Sequence, residues 1–441
     1  MNEDIIKLHV KNFRAIREAN IKINGITVVA GLNGCGKSTL SKLLYYVFKV
    51  TNEFEQSVTK EVDKELNKFR SAVMYLSNAI RVNTQLLISI HQRLFEFEEA
   101  KNLSKERNIL EFLDWLANKI NEDKVKNEDI KKNQVERSAA IFKDIFKHDS
   151  NMKTDLDQLS DAINWSPFII VLKTYIRNLY DRSNKHLITK PRLYLDREIR
   201  EAFHTANLPD LLEVSEFSES IISKNPTMQT PFSISNVIYI DTPMLLGNNA
   251  IPYWSDVNLK LFYQNSSIDN KINQNIESLL LNDILGGNAT IEYNDELDHF
   301  VFKTNQGIEI DLRDCATGIK SFAIINFLVK NKTINDKTLL ILDEPEAHLH
   351  PQWIVEYGRM LTLINKHIGA KVFVATHSPD MVQSLKYIPK KEKIEEGNIN
   401  FYLAKQSSNF QFNFKHLGED VSEIFDSFNI SYEKLEQYGE D

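Results

Sequence analysis

The first half of the sequence is short of the two residues that most often interrupt regular structure. No glycine occurs between Gly36 and Gly247, and no proline precedes Pro167. Strands and loops over so long a stretch would need such residues at their turns. Their scarcity argues against a β-rich first half and indicates long helices over about residues 40–185.

Cysteine, long apolar runs and excess positive charge are also scarce. The two cysteines of this 441-residue chain lie in glycine-containing motifs, which argues against a disulfide scaffold and fits a reducing compartment. No apolar run approaches the length of a membrane helix, and residues 1–14 lack a signal-peptide core. A net charge of −8 argues against a broad basic surface for duplex DNA or anionic lipid. We therefore expect a cytoplasmic protein that does not bind membranes.

Both ends of the chain have the pattern of an α/β protein. Short apolar–polar alternations fill residues 5–30, and a hairpin is expected over residues 290–303. Further along, helix-like and strand-like runs alternate, which predicts a mixed or parallel sheet. We expect residues 1–50 and 236–441 to form one α/β head, split by a long, mainly helical insertion over residues 51–235.

The predicted insertion has balanced charge and apolar residues at helical spacing. Residues 51–150 contain 17 Lys and Arg and 18 Asp and Glu. Apolar clusters such as LLISIHQRLFEF (86–97) follow the helical period, but no heptad persists through four repeats. We favour a compact helical bundle over a long coiled-coil arm.

A phosphate-binding motif lies near the start of the chain. GLNGCGKS at residues 31–38 fits the pattern G-x-x-x-x-G-K-[ST], with a strand-like run before it and a helix-like run after it. Glycines allow the backbone amides to surround a phosphate, and a helix N-terminus adds its dipole. We expect Lys37 to reach the β and γ phosphates of ATP, Ser38 to ligate Mg²⁺, and Thr39 to lie near the α-phosphate. The loop residues assigned to nucleotide binding are Asn33, Gly34, Cys35, Gly36, Lys37, Ser38 and Thr39.

Two further motifs follow strand-like runs late in the sequence. The apolar run LLIL ends in Asp343 and Glu344, and a buried parallel strand delivers such carboxylates to the edge of a sheet where ligands bind. We expect Asp343 to hold Mg²⁺ through water and Glu344 to deprotonate the attacking water. The next run ends at His377, where an imidazole could contact the γ-phosphate. A lone histidine at a strand end is more often structural, but the order of the motifs here favours the catalytic interpretation.

Together these motifs resemble those of ABC-type ATPases of the RecF, SMC and OLD group, especially bacterial ATPases associated with antiphage defence. The matching segments are LHVKNFRAI, GLNGCGKST, CATGIKS, LILDEPEAHLHP and VATHSPDM. In that group two heads enclose ATP between them. The resemblance therefore implies a homodimer with shared ATP sites, or a larger assembly of such dimers. It also implies that Thr317 and Gly318 form a signature segment that faces the P-loop of the second subunit.

The sequence departs from the family pattern at several positions. The signature segment lacks its second glycine and its glutamine, and Lys320 could instead supply positive charge to the partner's γ-phosphate. Arg14 matches an arginine that lies by the nucleotide in relatives, although a surface ion pair is an equal alternative. No clear glutamine loop exists, and Asp241 or Thr242 is the nearest candidate by position. His350 stands where many transporters of this type have an aspartate.

Neither a zinc site nor a nuclease is indicated. His348 and His350 are two residues apart, with no cysteine or third ligand near them in sequence, which disfavours zinc. OLD relatives carry a TOPRIM nuclease after the ATPase, but the segment after His377 is too short for that domain, and no HNH pattern is present.

Two functions remain open at this point. The resemblance implies an ATPase subunit that responds to a phage-derived trigger and controls a separate HNH or TOPRIM nuclease, as the ATPases of the Septu and PARIS systems do. The alternative is a RecF- or SMC-like repair ATPase that binds DNA. The acidic net charge and the balanced insertion favour the first function.

Overall fold

The computed structural model divides the chain into two compact units. It describes residues 6–99, 102–123, 132–147, 152–159, 164–262, 289–294, 299–395 and 397–428, with isolated positions at 162, 278, 287 and 438. The first unit comprises Met1–Asn52 and Pro191–Asp441, and the second comprises Glu53–Lys190.

Three strands come first in the described part of the chain, eight consecutive helices follow, and strands and helices are mixed after them, with two short 3₁₀ turns at Pro243–Leu245 and Leu312–Asp314. The strands are β1 (Ile6–Phe13), β2 (Ile16–Ile23), β3 (Ile26–Ala30), β4 (Leu211–Glu216), β5 (Glu219–Ile222), β6 (Asn236–Ile240), β7 (Ala289–Asn294), β8 (His299–Thr304), β9 (Glu309–Asp311), β10 (Thr338–Asp343), β11 (Lys371–Thr376), β12 (Ile399–Ser408) and β13 (Gln411–Gly418). The helices are α1 (Lys37–Asn52), α2 (Phe54–Ile80), α3 (Thr84–Glu99), α4 (Asn102–Asp123), α5 (Lys132–Phe146), α6 (Lys153–Gln158), α7 (Ser166–Thr189), α8 (Leu193–Phe203), α9 (Pro252–Phe262), α10 (Thr317–Lys330), α11 (Pro351–Ile368), α12 (Pro379–Lys391) and α13 (Ser422–Phe428). Within the described part of the chain, no helix has both the length and the apolar composition needed to cross a membrane.

A ten-stranded sheet, in the order β5-β4-β1-β2-β13-β12-β3-β11-β10-β6, forms the centre of the first unit. The five strands from β12 to β6 in this order are all parallel, whereas the other half is antiparallel except for the β2–β13 pair. Every residue of β3, β10 and β11 is buried, which accounts for their continuous apolar sequences. The predicted α/β class with a mixed sheet is confirmed.

The register of the parallel strands brings their carboxyl ends into one row. Ala30 at the end of β3 pairs with Thr376 at the end of β11, and Asp343 at the end of β10 pairs with Ala375. On the far side of β10, Leu342 pairs with Ile240, the last residue of β6. Because neighbouring ends are level, the loops that follow four strands meet at one edge of the sheet.

A separate three-stranded antiparallel sheet, β7-β8-β9, belongs to the same unit. Asn294 pairs with His299 across β7 and β8, so these strands form the two arms of the predicted hairpin. The residues between them, 295–298, lie outside the described residues.

The second unit consists of α2 to α7 around one apolar core. Phe142 of α5 meets Phe168 of α7 edge-on, with ring centroids 5.0 Å apart. The Tyr175 hydroxyl of α7 donates a hydrogen bond to the Glu65 carboxylate of α2 at 2.6 Å. The unit is a compact bundle, as its helical apolar pattern predicts.

The helical unit ends at Lys190, well before the predicted boundary at residue 235. The segment after it contributes α8, which packs on α1, and the β4–β5 hairpin, in which β4 pairs with β1. The positions of glycine in the sequence do not predict this hairpin, because its turn contains no glycine. Phe217 and Ser218 adopt the left-handed conformation there, with φ of 50° and 69°.

Candidate functional site

The P-loop connects β3 to α1 in the conformation that the glycine pattern predicts. Gly34 and Gly36 have φ of 80° and 97°, which L side chains rarely adopt. A Cβ at Gly36 would also lie 3.0 Å from the Ile16 side chain, so both the backbone conformation and the packing favour glycine at this position. The turn leaves the start of α1 facing the strand edge, where its unpaired amides can bind a phosphate.

The other P-loop side chains divide into exposed and buried groups. Asn33 and Ser38 are exposed, Thr39 is half-buried, and Cys35 is buried, which raises the pKa of its thiol. Lys37 is only 3% exposed, and its ammonium donates to the carbonyls of Gly31 at 2.9 Å and Leu32 at 3.0 Å. The Lys37 ammonium is thus held within the P-loop, next to the space that the backbone amides of the loop enclose.

Asp343 ends β10 as a buried carboxylate with one oxygen bound and one free. The Tyr239 hydroxyl donates to Oδ2 at 2.9 Å, whereas Oδ1 is buried without a hydrogen-bond partner among the described residues. Burial raises the pKa of this carboxyl to about 6, partly offset by the Ser38 and Tyr239 hydroxyls. A serine hydroxyl beside a buried aspartate oxygen that lacks a partner is an all-oxygen donor set that fits Mg²⁺.

Glu344 follows directly in a strained backbone conformation, with φ of 52°. Its amide donates to the Ala375 carbonyl at 2.8 Å, which fixes the loop to β11. This geometry brings Oε1 to 4.0 Å from the Lys37 ammonium while the side chain remains 37% exposed. Residues from opposite ends of the sequence therefore meet at a site that solvent can enter.

His377 follows β11 and lies between two carboxylates. Its Nδ1 is 3.4 Å from Oε1 of Glu344 and 3.4 Å from Oε1 of Glu346. Glu346 is buried, and the same Oε1 accepts hydrogen bonds from the Thr376 hydroxyl at 2.6 Å and the His377 amide at 3.0 Å.

The His377–Glu344 contact has opposite effects on the two side chains. It raises the pKa of the imidazole, with Glu346 adding to the rise, and it lowers the pKa of the Glu344 carboxyl. The two groups therefore favour imidazolium and carboxylate, the charged forms that suit a proton donor beside a phosphate and a proton acceptor beside a water.

The predicted signature segment begins α10. Ala316 is the N-cap, and Thr317 and Gly318 form the first turn, so their amides have no acceptor within the helix. Gly318 is required by packing, because a Cβ there would lie 2.5 Å from the Trp353 ring. Among the described residues, no hydrogen bond or ion pair joins Thr317 or Gly318 to the P-loop.

Lys320 is buried and turned inward. Its ammonium donates to the Arg313 carbonyl, which precedes the signature segment. In this conformation the ammonium contacts its own chain and stabilises the loop before α10.

Arg14 also contacts its own chain. Its guanidinium donates to the Phe203 carbonyl at 2.6 Å and lies 5.0 Å from the centroid of the Phe203 ring. Only the turn that contains it approaches the P-loop, since Ala15 and Ile16 lie against Gly36. Among the described residues, no ion pair involves Arg14, so the alternative of a surface ion pair has no support there.

The two candidates for the glutamine-loop position differ in how they are bound. Asp241 accepts hydrogen bonds from the Thr242 amide, the Tyr253 hydroxyl and the Trp254 indole, at 2.6, 2.6 and 2.8 Å. The Thr242 hydroxyl is buried without a hydrogen-bond partner in the described part of the chain. His350 caps α11 by accepting from the Gln352 amide at 3.4 Å.

Two site residues escaped the sequence analysis, Tyr239 and Glu346. Tyr239 lies within an apolar strand and looks like an ordinary core residue. Glu346 could have been noticed as the second acidic residue after β10, but only the fold shows that it bonds to the end of β11.

Comparisons with known proteins agree with the nucleotide-binding motifs. A family model described as an AAA ATPase domain matches residues 4–382. No curated protein matches the sequence.

Three solved structures are similar along nearly the whole chain. The SMC head domain from Thermotoga maritima is 10% identical, covers 94% of this chain and 99% of its own, and has a TM-score of 0.36. The Smc head domain with an extended coiled coil, bound to the C-terminal domain of ScpA and derived from Pyrococcus furiosus, is 10% identical with 99% and 99% covered and a TM-score of 0.35. The Smc head domain with a coiled coil and joint from Pyrococcus yayanosii is 11% identical with 98% and 99% covered and a TM-score of 0.36. Identities this low say nothing about activity or partners.

Proposed function

Because the chain belongs to the AAA ATPase domain family, we propose that its ATP site is the sheet edge where the P-loop, Asp343, Glu344 and His377 converge. The expectation of an ATPase is confirmed at the level of the family. The main support for this site is the distance of 4.0 Å between Lys37 Nζ and Glu344 Oε1. These two residues belong to motifs that lie more than 300 residues apart in the sequence.

Each side chain has a role that follows from its surroundings. Lys37 exchanges the carbonyls of Gly31 and Leu32 for phosphate oxygens, a stronger charge-assisted contact. Glu344 accepts a proton from the attacking water, since its lowered pKa keeps it ionised. His377 donates a hydrogen bond to the γ-phosphate, since its raised pKa favours imidazolium.

Ser38 and Asp343 are the residues that would hold Mg²⁺. Asp343, through the Oδ1 that has no partner among the described residues, and the Ser38 hydroxyl would supply the oxygen atoms that such an ion prefers. The ion, when bound, neutralises charge on the β and γ phosphates.

The test is substitution of Glu344 by glutamine, which keeps the size of the side chain and removes the base. Glu344→Gln should bind ATP as the wild type does and lower turnover by about 10²-fold or more. The matched control is Glu419→Gln, which breaks only a surface contact with Lys390. We would measure phosphate release and, separately, ATP affinity by calorimetry. Wild-type turnover in Glu344→Gln would eliminate this residue as the base.

We also propose that two chains share their ATP sites. The support is the first turn of α10, whose free amides have no contact with the P-loop of the same chain among the described residues. In the arrangement that the sequence resemblance implies, Thr317 and Gly318 bind the γ-phosphate held by a second copy.

We infer a regulatory role from the resemblance to ATPases of antiphage defence. The chain would act as the cytoplasmic ATPase subunit that responds to a phage-derived trigger and controls a separate HNH or TOPRIM nuclease. The purified chain with Mg²⁺ or Mn²⁺ should then leave plasmid DNA and tRNA intact. Cleavage that stays with the chain through further purification would contradict a separate nuclease, and salt-sensitive binding to duplex DNA would favour the repair ATPase instead.

A further inference from the structure

Tyr239 is a fully buried phenol that reaches the nucleotide site from a neighbouring strand. It lies on β6 and pairs with Ile341 of β10, two residues before Asp343. Its hydroxyl donates to Asp343 Oδ2 at 2.9 Å. The contact therefore joins two neighbouring parallel strands, β10 and β6, of which β6 is the last in the sheet order.

The ring of Tyr239 is held on several sides. Tyr253 meets it edge-on with centroids 4.8 Å apart, Tyr45 lies 5.7 Å away, and the Lys42 ammonium is 6.0 Å from its centroid. A ring packed in this way has little freedom to turn, so its hydroxyl is a fixed donor.

This fixed donor makes the two oxygens of Asp343 unequal. Oδ2 is bound to the phenol, whereas Oδ1 is buried and has no hydrogen-bond partner among the described residues. A buried carboxylate oxygen without a partner is costly, and it is retained where a ligand or an ion completes it.

We propose that Tyr239 is a positioning residue for Mg²⁺: its hydroxyl ties Oδ2 and so directs Oδ1 of Asp343 toward the ion's coordination shell. This inference rests on the proposed ATP site. It adds that the metal affinity of the site depends on a hydroxyl that does not itself reach the metal.

The neighbouring Tyr253 offers a matched control. Its hydroxyl makes the same kind of bond, at 2.6 Å, to Asp241 at the end of β6. Tyr253→Phe and Tyr239→Phe each remove one hydroxyl from the same aromatic cluster and leave the rings in place. The two variants differ only in which carboxylate loses its donor.

The experiment measures Mn²⁺ binding by electron paramagnetic resonance in the presence of a non-hydrolysable ATP analogue. Tyr239→Phe should weaken Mn²⁺ binding by about tenfold, the lower end of the effect of removing a residue that orients a metal ligand. Tyr253→Phe should bind Mn²⁺ as the wild type does. Affinity for the analogue in EDTA should be unchanged in both variants, which shows that the fold and the P-loop are intact.

A third variant, Asp343→Asn, separates failure of this inference from failure of the proposed site. If Asp343→Asn binds Mn²⁺ as tightly as the wild type, the assignment of Asp343 to the metal is itself wrong. If Asp343→Asn weakens binding but Tyr239→Phe does not, only the role of Tyr239 is overturned. Equal loss in Tyr239→Phe and Tyr253→Phe would also overturn it, because the effect would then belong to the aromatic cluster.

Discussion

At the scale of single residues, His377 lies between two carboxylates that differ in their exposure to solvent. It is equidistant from Glu344, which is partly exposed, and Glu346, which is buried. Oε1 of Glu346 accepts hydrogen bonds from the Thr376 hydroxyl and the His377 amide, and these bonds fix the loop after β11. The Glu344 side chain contacts the His377 imidazole and is 37% exposed, so it also faces water.

Glu346→Gln should move the alkaline limb of the ATPase pH profile to lower pH. Both carboxylates raise the pKa of His377, and Lys37 opposes them. Glutamine removes one of these negative charges, so the imidazolium is lost at a lower pH than in the wild type. Its amide oxygen can still accept from Thr376, which preserves the loop.

The measurement is turnover against pH, with the imidazole titrated directly by NMR. Glu392→Gln, which alters only a surface pair with Lys366, provides the control and should leave the profile in place. An alkaline limb that stays where it is in Glu346→Gln would show that Glu346 does not act on His377.

At the scale of elements, the site depends on how α11 and α12 pack beneath the loops they flank. α11 begins at Pro351 after its His350 cap and ends at Ile368, before the left-handed Gly369, while Ser378 caps α12. Gly358 of α11 lies against Ser384 of α12, and both residues are buried.

Gly358→Ala should destabilise the protein, against the usual preference of helices. Alanine normally favours a helix over glycine by about 1 kcal/mol. Here the added methyl would lie 2.1 Å from Ser384 Oγ, so α11 and α12 must move apart. We expect a net loss of about 1–3 kcal/mol, measured as the free energy of unfolding in urea.

A compensating variant makes this prediction specific to the helix contact. Ser384→Gly removes the atoms that the new methyl would meet and should restore part of the stability when combined with Gly358→Ala. Additive losses in the double variant would mean that the two helices do not meet in this way.

At the scale of the whole molecule, the proposed function requires two copies to complete each site. Lys37 and Glu344 lie in one chain, whereas the first turn of α10 is available to another. Ala316, the exposed N-cap of α10, allows this to be tested without the clash that any side chain at Gly318 would make with Trp353.

Mixing two inactive variants should restore activity if the sites are shared. Ala316→Glu places a negative charge opposite the partner's γ-phosphate but suits a helix N-terminus, and Lys37→Ala removes the P-loop cation. Each alone should be inactive. In a mixed dimer one site carries both changes and the other carries neither, so about a quarter of wild-type turnover should return after random exchange of subunits.

The control adds the same charge elsewhere. Phe410→Glu changes an exposed position between β12 and β13, and should keep wild-type turnover on its own. No recovery in the Ala316→Glu and Lys37→Ala mixture, despite proven exchange of subunits, would argue that each chain hydrolyses ATP alone.

The parts of the fold that depend on local chemistry could be predicted from the amino-acid sequence. The glycines and Lys37 of the P-loop, the buried strand before Asp343, and the alternation of helices and strands after Leu312 all impose their structure through short-range geometry and apolar patterning. The α/β class and the helical bundle could therefore be predicted, since the spacing of apolar residues differs between helices and strands.

The pairs of residues that meet across the sheet could be learned only from the fold. Strand order brings Tyr239 to Asp343 and Glu346 to Thr376, although nothing in the sequence marks these pairs. The β4–β5 hairpin adds to the sheet through a turn without glycine, which composition does not reveal. Such contacts join segments far apart in the chain, and their partners are fixed by the register of a ten-stranded sheet, a property of the whole fold and not of any one segment.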